Sequence, residues 1–125
     1  MLESGNIGEF FALFKSLIAN LPHQLHKNEA MYHVLLHFFV MMVGIDIESE
    51  VSTNKGRIDM VISTKNRITI FEFKFEGTPQ QALEQIKQKE YFDRYKIKHK
   101  PITLVGATFN RGNNELIIEW QKEEV

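Results

Sequence analysis

The sequence predicts one α/β domain, a central mixed β-sheet flanked by helices, with elements in the order ααβββαββ. Three observations carry this reading. Two runs with helix caps and helical spacing come first, alternating apolar residues follow in three short runs, and a capped amphipathic run separates these from two more strands. With 125 residues the chain is long enough for one core, so residues 1–125 are read as a single domain.

Asn6 followed by Glu9 has the form of an N-cap with its capping box. Phe10, Phe14, Leu17, Ile18 and Leu21 then recur at helical spacing, and Pro22 is expected to close this helix. Asn28 opens a second run from Glu29 to Val43, with Gly44 at the C′ position. That run is apolar around most of its circumference, so it is expected to be packed on several sides. Ile45, Ile47 and Val51 suggest a first strand. Ile58, Met60 and Ile62 alternate in a second, and Phe71, Phe73 and Phe75 in a third. Thr78-Pro79 reads as N-cap and N1, with Gln81 completing a capping box, for a helix running to Tyr95. ITLVGATF and ELIIEW, joined by the polar turn NRGNN, read as the last two strands.

Composition narrows the function classes. The chain is 43% hydrophobic and 25% charged, ordinary for a globular protein and unlike a disordered or fibrous one. A formal net charge of −1 speaks against a dedicated non-specific nucleic-acid binder, but not against an enzyme that holds one phosphate with a metal ion. The absence of cysteine excludes disulfides and thiolate metal sites and fits a reducing cytoplasm. Residues 1–9 lack the basic residues and apolar run of a signal peptide. The most apolar window, residues 30–45, is short for a membrane span and carries His33 and His37, so a buried helix and no membrane partner are expected.

The chemistry concentrates between Gly56 and Lys74, GRIDMVISTKNRITIFEFK. A tight turn centred on Lys65-Asn66 sets Asp59 directly opposite Glu72 and Arg57 opposite Lys74. Opposed side chains have Cβ atoms about 5 Å apart, and like charges there are destabilising unless neutralised. A divalent cation is the simplest neutraliser, and Mg²⁺ is commonly held by only one or two carboxylates. FEFKF also has the pattern of an amphipathic strand with charges in solvent. Against that, Asp59 shares its face with Val61, which would pair with Ile70, so apolar residues flank the acids as in a covered pocket. A slip of one residue in register would remove the argument.

Asp59, then a strand, then Glu72-Phe73-Lys74 resembles the D…(D/E)-x-K signature of the PD-(D/E)XK nuclease superfamily. Glu29, Tyr32 and His33, "GRID", "FEFK", "ALEQIKQKEY" and the ending "LVGATF…IIEW" resemble more specifically the nuclease-like domain appended to AAA-ATPase-like proteins of bacteria and archaea. The resemblance spans nearly the whole chain. It implies a restriction-endonuclease-like fold and hydrolysis of phosphodiester bonds, with DNA ahead of RNA as substrate. It implies that Asp59, Glu72 and the Phe73 carbonyl hold Mg²⁺ or Mn²⁺, and that Lys74 orients or activates the attacking water. Glu29 would orient a water or support a second ion, and Gln85 would hydrogen-bond Lys74 or the water. No P-loop is present, so an ATPase would be a fused or separate partner, and the chain either the C-terminal part of a longer protein or a free-standing copy.

Other features have blander readings. His33 and His37 share a helix face but lack the Glu of H-E-x-x-H and a third ligand, so zinc is not expected. Lys96, Lys98, His99 and Lys100 read as a solvated connector, whereas Lys87 and Lys89, flanking Gln85, are better placed to meet a nucleic-acid backbone. Trp120 and Phe109 are expected in the core. A second function class stays open beside the nuclease: a non-catalytic module of the same fold that contacts an ATPase or pairs with another copy of itself as a homodimer.

Overall fold

The computed structural model describes residues 6–20, 34–36, 38–39, 41–42, 48–54, 57–64, 66–75, 77–88, 100–112 and 115–125. Five strands form one mixed sheet in the spatial order β1-β2-β3-β4-β5. They are β1 (Glu48–Asn54), β2 (Arg57–Ser63), β3 (Ile68–Lys74), β4 (Ile102–Gly112) and β5 (Glu115–Glu124). Helix α1 (Ile7–Ala19) precedes the sheet, and α2 (Pro79–Gln88) connects β3 to β4. β1–β2, β2–β3 and β4–β5 pair antiparallel, while β3 and β4 are parallel, as a helical crossover requires. This is the mixed sheet with flanking helices that the sequence predicts.

The caps form as expected. Asn6 Oδ1 accepts from the Glu9 amide at 3.0 Å, and Asn6 Nδ2 reaches back to Glu9 Oε2 at 3.2 Å. The box at α2 is reciprocal: Gln81 N donates to Thr78 Oγ1 at 3.2 Å and Thr78 N to Gln81 Oε1 at 3.0 Å. Helix α1 ends at Ala19, short of Pro22, because Asn20 turns back with its side-chain amide on the Ser16 carbonyl. The strand β4 runs on through Arg111 and Gly112, so part of the expected NRGNN turn belongs to the ladder.

Alternation along β3 divides the core in two, and burial on both faces marks β3 as a central strand. Phe71 and Phe73 face α1, where they meet Phe10, Phe11 and Phe14. The Phe71 and Phe73 rings stack at 5.4 Å, and Phe73 stacks on Phe109 at 5.1 Å. Trp120 joins this cluster against Phe11. Ile68 and Ile70 face the other way and pack with Val61, Ile102 and Leu104 beneath Leu83 and Ile86 of α2.

Residues 34–36, 38–39 and 41–42 are helical, within the second helix expected from the sequence. They are not packed on several sides. Leu36 and Phe39 are buried in the α1-side core, whereas Val34, Phe38, Met41 and Met42 are exposed. Ile45, Ile47 and the end of α2 expected at Tyr95 lie outside the described residues. None of the described helices is long and apolar enough to cross a membrane.

Candidate functional site

The β2–β3 turn sets the geometry. Thr64 N donates to the Arg67 carbonyl at 2.8 Å, and Arg67 N donates to Thr64 Oγ1 at 3.2 Å. Lys100 Nζ donates to the Thr64 carbonyl at 3.0 Å, tying the turn to the start of β4. Arg67 Nη1 donates to Thr103 Oγ1 at 2.6 Å and to Glu124 Oε2 at 3.0 Å, so the same end of the sheet is fastened across to β5. From this anchored end the ladder pairs Val61 with Ile70, Asp59 with Glu72 and Arg57 with Lys74. That is the register expected from a turn at Lys65-Asn66.

Paired residues share a face, so the apolar pair Val61–Ile70 places Asp59 and Glu72 on the α2 side of the sheet. Glu72 is 0% exposed, while Asp59 and Lys74 are half-buried. Oδ1 of Asp59 and Oε2 of Glu72 are buried atoms. Lys74 is the last residue of β3, at the carboxyl end of the parallel pair. In open α/β sheets, ligands bind outside that end.

Gly106 explains how α2 comes so close. It pairs with Glu72 across the parallel ladder, on the same face. A Cβ there would meet the Pro79 carbonyl oxygen, lie 2.7 Å from Leu83 N and sit 3.0 Å from Ala82 Cβ. The missing side chain lets the first turns of α2 rest on the backbone beside Glu72. The positive end of the helix dipole thereby lies near the buried acid. Sequence reasoning passed over Gly106, although a glycine inside the apolar run LVGATF is itself a signal of close backbone approach.

The ion pair of Lys87 marks which flank of α2 carries Gln85. Lys87 Nζ pairs with Glu123 Oε2 at 2.6 Å, so its flank of the helix faces β5. Gln85 lies about 200° around the helix from Lys87, on the flank turned toward β3 and β2. Gln81 is on that flank too. Its Oε1 lies 2.5 Å from where a Cβ on Gly77 would be, with Lys74 Cε 3.3 Å from the same point. Gln85 Oε1 is buried and has no hydrogen-bond partner among the described residues.

Gly77 has φ of 102°, a region that side-chain-bearing residues adopt at a cost of about 1–2 kcal/mol. Gly77→Ala is expected to lose about that much stability in urea unfolding, and to displace Gln81 from its cap. Unchanged stability would show that the Lys74–α2 loop readjusts freely.

Asp59, Glu72 and Lys74 thus share one face of the sheet, and Gln85 lies on the flank of α2 away from β5. Phe73 points its side chain into the opposite core, but its backbone lies between Asp59's strand and β4. Glu29, His33, His37, Lys89, Lys96, Lys98 and His99 lie outside the described residues. Lys87 is exposed and pairs with Glu123 of β5.

The residues fit a hard divalent cation. Two opposed carboxylates, each with one buried oxygen, offer oxygen donors alone, with no cysteine in the chain. Among the described residues no group of three or more His, Cys, Asp or Glu is placed to hold a metal. Mg²⁺ needs fewer protein ligands than that, since water and phosphate complete its octahedron.

Comparison with known proteins identifies the family. The family profile described as the PD-(D/E)XK nuclease superfamily matches residues 27–120. An uncharacterised protein in the vnfD 5′ region of Azotobacter chroococcum mcd 1 is 34% identical over 113 residues, covering 84% of this chain and 22% of the relative. The chain therefore spans about a fifth of the length of that relative. No solved structure matches significantly.

Proposed function

Because the chain belongs to the PD-(D/E)XK nuclease superfamily, we propose that it hydrolyses phosphodiester bonds in nucleic acid, DNA ahead of RNA, using Mg²⁺ or Mn²⁺. The observation that carries this is the direct opposition of Asp59 and Glu72 beside Lys74, on a face covered by α2. A purely structural sheet gains nothing from opposing two acids there. Asp59, Glu72 and the Phe73 carbonyl would hold the cation. The cation supplies Lewis-acid stabilisation of charge developing on the phosphoryl oxygens. Lys74 orients the attacking water and offsets negative charge on the phosphorus centre. Gln85 hydrogen-bonds the water or Lys74, and Glu29 orients a water or supports a second ion.

A second reading is favoured by the length of the relative. A module matching only 22% of that protein can act as one part of a larger machine. In this reading the domain is a non-catalytic partner of a fused or associated AAA-type ATPase, or forms a homodimer. Either reading suits a cytoplasmic protein.

The experiment is a cleavage assay on labelled single- and double-stranded DNA and RNA, with Mg²⁺, Mn²⁺ or EDTA, run beside thermal melts. A cation at a hundredfold excess over its Kd is expected to add about 2.7 kcal/mol of stability. Cleavage should appear only with metal. A metal-dependent melt without cleavage supports the accessory module, and neither effect removes the metal site altogether.

A further inference from the structure

Thr108 lies on β4 in parallel register with Lys74. On that face β4 carries Ile102, Leu104, Gly106 and Thr108, then the exposed Asn110, so Thr108 is the first polar residue of the row and its last buried side chain. It is 1% exposed, and its Oγ1 is buried with no hydrogen-bond partner among the described residues. Leaving a buried hydroxyl without a partner is unfavourable, and valine would fill the same space without that penalty. Lys74 beside it is half-buried, and no hydrogen bond or ion pair joins its ammonium to another described residue. A buried hydroxyl without a partner and a lysine with none among the described residues are therefore register neighbours on one face of the sheet.

We propose that Thr108 is a positioning residue for Lys74: its hydroxyl accepts a hydrogen bond from the Lys74 ammonium when a phosphodiester occupies the site. This inference rests on the nuclease reading. Burial keeps Thr108 from meeting a bulky substrate itself, so it acts through the lysine. A long, flexible lysine side chain has many conformers, and a fixed acceptor at its tip selects the one aimed at the phosphate. The remaining ammonium protons stay free for the phosphate oxygens and the water.

The test is a double-mutant cycle of Thr108→Val with Lys74→Met, read by fluorescence anisotropy on a labelled 20-base-pair DNA duplex and a matching RNA. Ca²⁺ serves as the metal, since it takes the same oxygen ligands. Single-turnover cleavage with Mg²⁺ is read in parallel. Thr108→Val is expected to slow cleavage and weaken binding by about 10- to 100-fold, the value of one hydrogen bond to a charged group. Thr108→Ser should restore both. In the Lys74→Met background, Thr108→Val should have no further effect. Equal losses in both backgrounds, or no loss in the wild-type background, would overturn the proposal while leaving the nuclease reading intact. If the wild type neither binds nor cleaves, the nuclease reading fails and the role of Thr108 falls with it.

Discussion

Asp59→Asn is expected to slow metal-dependent cleavage by roughly 10²–10³-fold and, at the same time, to leave the metal-free protein at least as stable as the wild type. The two effects have one cause. Asp59 faces Glu72 across the ladder, with Glu72 fully buried. Opposed like charges in a sheet cost about 0.2–1 kcal/mol, which a neutral amide relieves. Asparagine keeps the shape and one oxygen but loses the charge that attracts a divalent cation. Loss of several kcal/mol of charge stabilisation corresponds to a rate roughly 10²–10³-fold lower. The difference in melting temperature between variant and wild type should therefore change sign. In EDTA the variant melts at or above the wild type, and in saturating Mg²⁺ it melts below. A variant that still gains stability from Mg²⁺ as the wild type does would place the cation elsewhere.

Gly106→Ala is expected to destabilise the fold by about 1–3 kcal/mol, the usual cost of overpacking. The atoms that a Cβ would strike are backbone: the Pro79 carbonyl and the Leu83 amide, in the first turns of α2. A backbone segment cannot swing aside as a side chain can, so the helix must lift from β4. Lifting α2 carries Gln85 with it and opens the cover over Glu72, so the stabilisation gained from metal should shrink as well. Gly8→Ala is the matched control. Its Cβ would lie 3.5 Å from Trp120 Cζ2, an ordinary contact, and alanine in a helix is favoured over glycine by about 0.5–1 kcal/mol. Urea midpoints for the pair should move in opposite directions. Parallel movement would mean that α2 is not seated on Gly106.

The parts legible in sequence are those determined by neighbours along the chain. Asn6 with Glu9, and Thr78 with Gln81, announce their helices because capping is a contact across three residues. The register of Asp59 against Glu72 follows from a two-residue turn at Lys65-Asn66, with the hydrophobic pair Val61–Ile70 agreeing on the buried face. The family was equally legible, because its signature sits on that one hairpin. What only the tertiary structure decided depends on segments far apart in sequence. The parallel pairing of β3 with β4 makes Gly106 the neighbour of Glu72 and Thr108 the neighbour of Lys74, though 34 residues separate each pair. The burial of Leu83 and Ile86 among Ile68, Ile70 and Leu104 decides which face of α2 meets the sheet. The exposure of Val34, Phe38, Met41 and Met42 likewise escapes periodicity, which reports that a face is apolar but not what covers it. By itself the sequence determined a hairpin bearing opposed carboxylates; the long-range packing of β4 and α2 decided what stands beside and above them.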